Sequence, residues 1–173
     1  TASIVDGKIL YTPRANYFGN DSISYTVTDA KGAKSTLTLT INIYPVNDLP
    51  IANDDNYSLN EDSQRYLSLS NLLYNNTDVE DGHPVFNGIK QNTQHGTITF
   101  DQNNNIIYKP EANYFGPDSF VYEVKDSTGA TATALVNFTI DPVNDAPITN
   151  LKEVEINEDT PITLDVLSQA SDV

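Results

Sequence analysis

The stretch Pro45-Val46-Asn47-Asp48-Leu49-Pro50 occurs again, with one substitution, as Pro142-Val143-Asn144-Asp145-Ala146-Pro147, 97 residues further along the chain. Proline fixes φ at about −65° and disfavours helix in the residue before it. It also keeps a segment out of the centre of a sheet. Between the prolines, an Asn-Asp pair presents an amide and a carboxylate, which are hard oxygen ligands. Each stretch is therefore predicted to be a stiff, extended connector that holds a cation.

The same offset relates most of the sequence. Ala15-Asn16-Tyr17-Phe18-Gly19 recurs unchanged as Ala112-Asn113-Tyr114-Phe115-Gly116, and residues 9–50 agree with residues 106–147 at 22 of 42 positions. Self-similarity at a fixed period indicates a tandem array. It divides the chain into the C-terminal part of one repeat (1–46), a linker (47–50), a complete repeat (51–143), a second linker (144–147) and the N-terminal part of a third repeat (148–173). Because the chain opens within a repeat, we expect it to be an excerpt from a longer array.

The charge balance limits the classes of partner. Twenty-four acidic residues against nine basic ones give a net charge of −15. Nucleic acids and anionic membrane surfaces are therefore not expected as partners. An acidic surface of this kind favours either bound cations or plain solubility. The sequence contains no Cys, which excludes disulfides and thiolate metal sites. No apolar run approaches the roughly 18 residues of a membrane span, so direct membrane insertion is not expected.

Alternation of apolar and polar residues predicts an all-β fold. Tyr25 and Val27 alternate with threonines, and Tyr122 and Val124 repeat this pattern 97 residues later. No stretch predicts a long amphipathic helix. Seven strands, A to G, are expected in the complete repeat, at 56–60, 65–69, 85–90, 97–100, 106–109, 119–125 and 130–141. Seven short strands in one repeat predict a Greek-key sandwich of the immunoglobulin or cadherin type. The Tyr and Phe residues are expected to pack in its core and corners.

Several motifs in fixed order resemble a known family, the bacterial cadherin-like tandem repeats of RTX-type, calcium-dependent surface adhesins. They are the two linkers, Asn60-Glu61-Asp62, Thr77-Asp78-Val79-Glu80-Asp81-Gly82, His95-Gly96-Thr97, Tyr108-Lys109-Pro110, Asn113-Tyr114-Phe115-Gly116-Pro117-Asp118-Ser119 and Val124-Lys125-Asp126-Ser127-Thr128-Gly129. The resemblance implies a protein secreted to the bacterial cell surface. It also implies an array whose repeats bind calcium where they meet. At the second junction the third repeat departs from the pattern with Asn150-Leu151-Lys152, so no ligands are expected from these positions.

The strand order of such a sandwich predicts two groups of metal ligands. The upper group holds Asp21 from the first repeat, Asn47 and Asp48 from the first linker, Asp78, Glu80 and Asp81 from the B–C loop, and Asp126 from the F–G loop. The lower group holds Glu61, Asp62, Asp118, Asn144, Asp145 and Asp172. Calcium accepts six to eight carboxylate, amide and carbonyl oxygens in irregular geometry. It fits these groups better than magnesium or zinc.

Ordinary turn chemistry is the competing interpretation for every acid. Asp and Asn cap their own backbone in Asx turns, and this interpretation is preferred for Asp6 and Asp101. Calcium is preferred for Asp48, Asp78 and Asp145, because their grouping depends on the repeated linker. Asp21 and Asp118 either bind metal or tie down the turn between strands E and F. His83 and His95, the only histidines, are not expected to bind metal.

Three functions compete. The preferred hypothesis is a non-catalytic extender, or stalk, repeat that calcium stiffens, with neighbouring repeats as its partners. The alternative is a module that grips a glycan or a protein, for which Tyr74 is the aromatic residue most expected to be exposed. An enzyme is not expected, because no Ser-His-Asp order, phosphate loop or histidine metal site is recognisable. The partial repeats would expose sheet edges, so head-to-tail self-association through them is also expected.

Overall fold

Thirteen strands and one short helix make up the regular structure of the chain in the computed structural model, which describes residues 1–149, 153–165, 167–168 and 170–172. The strands are β1 (Ala2–Val5), β2 (Lys8–Tyr11), β3 (Gly19–Thr28), β4 (Lys34–Ile43), β5 (Asp55–Asn60), β6 (Arg65–Leu67), β7 (Val85–Gln91), β8 (Gly96–Phe100), β9 (Ile106–Pro110), β10 (Gly116–Lys125), β11 (Thr131–Asp141), β12 (Ile148–Thr149) and β13 (Ala170–Ser171). The helix α1 spans Leu69–Leu72. None of the helices described is long and apolar enough to cross a bilayer.

Strands β5 to β11 form a two-layer sandwich. One sheet has the order β5-β11-β10-β7, and the facing sheet has the order β6-β9-β8. Strand β5 runs parallel to β11, with Tyr57 opposite Phe138, and the other pairs are antiparallel. This confirms the predicted all-β immunoglobulin-like fold, and all seven predicted strands of the complete repeat are present.

Aromatic and branched side chains fill the space between the two sheets. Tyr108, Phe120, Tyr122 and Phe138 are almost completely buried, as predicted from the alternation. The Tyr108 and Phe138 rings stack with their centroids 3.9 Å apart and their planes 8° from parallel. Burying four aromatic rings supplies much of the hydrophobic stabilisation of a domain of this size.

The segment after β6 differs from the prediction. Strand B was expected to run to residue 69, but β6 ends at Leu67 and α1 begins at Leu69. Ser68 caps this helical turn, since its side chain accepts a hydrogen bond from the Asn71 N–H at 3.3 Å. Leu72 then enters the core and is fully buried. A four-residue helix is too short to leave a periodic pattern in the sequence.

The residues before the complete repeat form two separate hairpins. Strands β1 and β2 pair with each other, and so do β3 and β4. None of residues 1–49 is buried. The first partial repeat therefore has two hairpins like those of β8 to β11 but no closed core. The β3–β4 register equals that of β10–β11 at the 97-residue offset, whereas β1 is shifted by one residue relative to β8.

Candidate cation site at the repeat junction

The first linker contacts two loops at one end of the sandwich. The Asn47 Nδ2 donates to Asp126 Oδ2 at 2.8 Å, and the Asp48 N–H donates to Glu80 Oε2 at 3.0 Å. The structure thus brings together four residues of the predicted upper group, from the linker, the loop before β7 and the turn between β10 and β11.

Asp126 is held as a carboxylate by its hydrogen bonds. Its Oδ1 accepts from the N–H groups of Thr128 and Ala130, at 2.9 and 2.8 Å, and the residue is almost fully buried. The hydrogen bond from the Asn47 amide is the largest of the effects that lower the pKa of Asp126 to about 2. The linker therefore contacts a buried group that stays negatively charged at neutral pH.

Asp78 carries a buried oxygen that lacks a protein partner. Its Oδ1 accepts from the N–H groups of Glu80 and Asp81, both at 2.9 Å, so one side of the carboxylate shapes the loop. The residue is only 7% exposed, and its Oδ2 has no hydrogen-bond partner. Leaving a buried charged oxygen without a partner costs free energy. A bound cation would remove that cost.

Asp81 fastens the two loops to each other. Its Oδ2 and Oδ1 accept from the N–H and the hydroxyl of Ser127, at 2.6 and 3.0 Å. Asp81 lies in the same loop as Asp78, and Ser127 follows Asp126 in the turn between β10 and β11. These hydrogen bonds therefore hold the loop and the turn together without a bound ion. Preformed ligands lose less conformational entropy when an ion binds.

Asp21 of the first repeat lies near the start of β3, opposite Ile41 of β4. Its Oδ2 accepts from the Tyr11 hydroxyl at 2.6 Å and its Oδ1 from the Ser22 N–H at 2.7 Å. These bonds, with that from Tyr11 the largest effect, lower the pKa of Asp21. They support the tie-down role that the sequence left open. Other residues of the first repeat, among them Tyr17, line a cleft together with Asp48 and Glu80.

At the second junction, two acids contact neighbouring segments. Glu61 is buried, and its Oε1 accepts from the Val143 N–H, which precedes the linker, at 2.7 Å. Asp62 Oδ1 accepts from the Asn113 N–H at 3.2 Å. The amide of Asn144 donates to the carbonyl of Asp145 within the linker.

The remaining members of the lower group lie apart from these contacts. Asp118 accepts four hydrogen bonds, from the N–H groups of Gln94, His95 and Ser119 and from the Tyr108 hydroxyl, at 2.8–3.1 Å. This full set of donors supports the structural alternative for Asp118. Asp172 follows β13 and is exposed, and residues 150–152 lie outside the described part of the chain.

Charged side chains alone do not make a complete metal site here. In the described ranges, no three His, Cys, Asp or Glu side chains are placed to hold a metal ion. A calcium site at the first junction would have to include the Asn47 amide and backbone carbonyls, which calcium accepts. The unpartnered Oδ2 of Asp78 could bind such an ion directly, whereas both carboxylate oxygens of Asp118 at the second junction already accept hydrogen bonds.

The two histidines have ordinary structural contacts. The Nδ1 of His83 lies 2.8 Å from the carbonyl oxygen of Asn76. The His95 ring stacks on Tyr114, with centroids 4.1 Å apart. Both contacts are of the kind that hold a ring in a turn.

A buried polar cluster was not predicted from the sequence. Asn76 is fully buried, and its Nδ2 donates to the Tyr122 hydroxyl at 3.0 Å. The same hydroxyl lies 3.2 Å from the Asn53 carbonyl, and burial raises the pKa of Tyr122 to about 12. Burial also raises the pKa of the neighbouring Asp55. Asn76 stands in an Asn-Asn-Thr run that reads as a turn, so the sequence carried no signal of its burial.

Comparison with known families gives one decisive match. The family described as bacterial Ig domain matches residues 1–42 and 47–139, which is more than half of the chain. The chain belongs to the bacterial Ig domain family. The two matched segments separate at the first linker, and each covers strands that the 97-residue offset relates. Immunoglobulin-like domains of this family are typically non-catalytic.

Solved structures show weaker likeness to this bacterial Ig domain chain. A protocadherin gammaB7 EC3-6 cis-dimer structure has a TM-score of 0.45 at 16% identity and covers 79% of the chain. Protocadherin gamma C5 EC1-3 has a TM-score of 0.41 at 12% identity and covers 82%. The endo-fucoidan hydrolase MfFcnA4 from glycoside hydrolase family 107 has a TM-score of 0.36 at 16% identity and also covers 82%.

The match spans 35%, 50% and 22% of the lengths of those three structures, respectively. A comparison with curated protein sequences finds no match. The family match, and not these structures, carries the assignment.

Proposed function

We propose that the chain is a non-catalytic extender segment of a secreted bacterial surface adhesin of the RTX type, stiffened by calcium at the junctions between repeats. The observation that carries this proposal is the buried, unpartnered Oδ2 of Asp78 beside a linker that contacts Glu80 and Asp126. An acidic, extended connector between two immunoglobulin-like units suits a stalk, because a stalk requires only that the angle between its successive units is fixed.

Calcium would be held at the first junction by oxygens of Asn47, Asp48, Asp78 and Glu80. Asp126 already accepts four hydrogen bonds and would position the linker through the Asn47 amide. The ion supplies positive charge that joins the linker to the two loops. Without it, the carboxylates of Asp78, Glu80 and Asp126 repel one another. Among the described residues, two hydrogen bonds to side chains then join the linker to the loops. At the second junction we propose a weaker site from Glu61, Asp62, Asn144 and Asp145.

The expected stabilisation follows from linkage. Extracellular calcium modules bind with dissociation constants of about 10⁻⁴–10⁻³ M. At about 5 mM calcium, an ion that binds only the folded state contributes about 1–2 kcal/mol. For a domain of this size, each 1 kcal/mol raises the melting temperature by roughly 4–8 °C.

The test is thermal unfolding of the chain with calcium, with magnesium and with chelator. Calcium should raise the melting temperature by roughly 5–15 °C, because its affinity and the domain size set that range. Magnesium should do less, since it demands a tight octahedron and keeps its waters. Equal midpoints in all three buffers would rule the proposal out.

Matched variants locate the effect. Asp78→Asn should remove most of the calcium-dependent shift, because it removes the charge of the unpartnered carboxylate. Asp6→Asn is the control, since Asp6 is an exposed acid in the turn between β1 and β2 of the first partial repeat. A shift that survives in Asp78→Asn would place the ion elsewhere.

A binding module is the second candidate, favoured by one observation. Tyr74 is 82% exposed and directly follows Leu73, which lines an apolar cleft with Leu69 and Phe86. Exposed aromatic faces next to apolar clefts are typical of ligand sites. A glycan array that gives binding to the parent chain and none to Tyr74→Ala would support this candidate over the extender.

A further inference from the structure

The extender role and the second candidate leave one polar cleft of the complete repeat unused. It has a volume of about 500 Å³, which is within the range of small-ligand sites. It lies where the end of β7 and the segment 91–95 meet β10 and β11. Six side chains that can hydrogen-bond or stack line this corner cleft: Gln91, Gln94, His95, Ser119, Asn137 and Thr139. All six belong to the complete repeat, so the cleft is framed by its strands and not by either partial repeat.

We propose that the corner cleft binds a neutral saccharide. Its lining combines hydrogen-bonding side chains that can bond a ligand with one partly exposed ring, and it offers no uncompensated charge. An uncharged, hydroxyl-rich ligand suits such a lining, because it supplies donors, acceptors and a flat C–H face but no ion to be paired. The inference goes beyond the extender role and does not rest on it, because the side chains that we assign to calcium lie outside the cleft lining.

Carboxamides supply most of the hydrogen-bonding capacity of the cleft. Within the described residues, the side chains of Gln91 and Gln94 have no hydrogen-bond partner. Asn137 uses its Nδ2 to donate to Asn56 Oδ1 at 3.2 Å and keeps its carbonyl oxygen for another donor. Ser119 lies opposite Asn137 in the β10–β11 register, and its hydroxyl can both donate and accept. Adjacent hydroxyls of a sugar ring have the same dual character, so they can meet both the N–H and the C=O of a carboxamide.

The His95 ring provides a flat surface in the cleft. It stacks on Tyr114, with the ring centroids 4.1 Å apart and the planes 9° from parallel. The His95 side chain remains 42% exposed, so the stacking leaves part of it accessible. The Tyr114 hydroxyl donates to the Pro117 carbonyl at 2.7 Å, which holds the supporting ring in place. The C–H face of a sugar can pack on such a ring, and a ring that is already held loses little conformational entropy on binding.

The motif His95-Gly96-Thr97 has a structural reason in this arrangement. A Cβ at residue 96 would lie 2.5 Å from the Tyr108 ring and 2.7 Å from the Lys109 carbonyl oxygen, so only glycine fits. This close approach to β9 sets the position of His95. Asp118 fixes the same segment, because its two oxygens accept from the N–H groups of Gln94 and His95, at 3.0 and 3.1 Å. The segment that carries two of the lining side chains is therefore held before any ligand binds.

The charge of the cleft favours a neutral ligand. Among the described residues that line it, Asp118 carries the one carboxylate, and that carboxylate already accepts four hydrogen bonds. No lysine or arginine of the described chain is part of the lining. Glu111 approaches from the side, with its Oε2 4.0 Å from His95 Nδ1, and the whole chain has a net charge of −15. Sulfated or uronic saccharides would therefore meet repulsion without a paired cation.

The test is a glycan array probed with the labelled 173-residue chain in chelator. The array carries neutral oligosaccharides of glucose, galactose, mannose and N-acetylglucosamine, together with sulfated and uronic counterparts. We expect binding to at least one neutral glycan and weaker binding to its charged counterparts. No binding to any neutral glycan, or tighter binding to the charged ones, would overturn the proposal. Because the chelator removes calcium, this outcome is independent of the melting experiment that tests the extender role.

Matched variants assign the binding to the corner cleft. In NMR titrations with the neutral glycan that gives the strongest array signal, Gln94→Ala should weaken binding roughly three- to tenfold, as expected for one lost hydrogen bond. Its backbone N–H still donates to Asp118, so the fold is retained. His95→Ala should weaken binding further, since it removes the stacking surface.

Gln102→Ala is the control for Gln94→Ala, because Gln102 is exposed in the turn between β8 and β9 and should not affect binding. Tyr74→Ala should also bind like the parent chain. Unchanged affinity in both Gln94→Ala and His95→Ala would place the glycan elsewhere, for instance at Tyr74, and would overturn the proposal.

Discussion

The complete repeat and the first partial repeat present nearly the same strands in two different environments. Residues 19–43 agree with residues 116–140 in strand position and pairing. Yet Tyr122 is fully buried, while Tyr25, its equivalent, is partly exposed. The difference arises from β5, β6 and β7, which cover one set of strands and not the other. The alternation of residues along a strand therefore determines which face is apolar. Whether that face is buried depends on the neighbouring strands that pack against it.

The largest effect expected from this comparison is at the paired tyrosines. Tyr122→Ala should destabilise the complete repeat by about 3–5 kcal/mol, because it leaves a cavity and strands the Asn76 amide. Tyr25→Ala should leave the main unfolding transition unchanged. Urea unfolding followed by circular dichroism measures both. A comparable loss in the two variants would show that the partial repeat has a core of its own.

The paired aspartates at the corner should show a smaller difference. Asp118→Asn should cost about 1–3 kcal/mol, since the new amide cannot accept all four of the hydrogen bonds that Asp118 receives. Asp21→Asn should not move the transition, because Asp21 is exposed and lies outside the sandwich. If Asp118→Asn instead removed the calcium response and left stability in chelator unchanged, Asp118 would be a ligand.

Acid should weaken the attachment of the linker. The folded-state pKa of Asp126, about 2, lies below the ordinary value of 3.8. The charged form is therefore favoured by folding, and its contribution is present above about pH 4 and lost as the pH falls toward 2. Asn47→Ala should raise the pKa of Asp126, because the Asn47 amide is the main cause of the shift. Carboxyl NMR titration of both proteins would show an unchanged pKa if the linker contact were absent.

The corner tyrosines should give the smallest effect. The Tyr114 hydroxyl donates to the Pro117 carbonyl and the Tyr17 hydroxyl to the Asn20 carbonyl, both at 2.7 Å. Tyr114→Phe should cost about 1 kcal/mol in thermal unfolding, the usual net value of one hydrogen bond. Tyr17→Phe should cost nothing in that transition. A larger loss from Tyr17→Phe would mean that the first repeat unfolds together with the second.

Much of the fold was predictable because alternation and the internal repeat are local properties. The seven strands follow from period-two patterns such as that of Tyr122 and Val124. The helical turn after Ser68 was missed because four residues leave no periodicity. The parallel pairing of β5 with β11 joins segments about 80 residues apart, and no pattern within either strand encodes it.

The candidate site was predictable in its composition but not in its contacts. The sequence indicated which acids belong to the linker and loops, and the structure brings Asn47 to Asp126 and Asp48 to Glu80. Whether a carboxylate has an oxygen free to bind a metal ion depends on the hydrogen-bond donors that other segments of the chain bring to it. The sequence predicted both Asp118 and Asp78 as metal ligands. In the structure, Asp118 accepts four hydrogen bonds, whereas Asp78 keeps an unpartnered oxygen. The ligand set as a whole stays a prediction.

By itself, the sequence determined the repeat period, the strands and the acidic linkers, because these depend on side-chain type and spacing along one segment. Only the tertiary structure decided which apolar faces are covered, which carboxylates are satisfied and where the linker attaches. Those properties depend on atoms that are distant in the chain and meet in space. Burial and hydrogen bonding are set by such neighbours, so the two copies of one pattern differ in burial within the described residues.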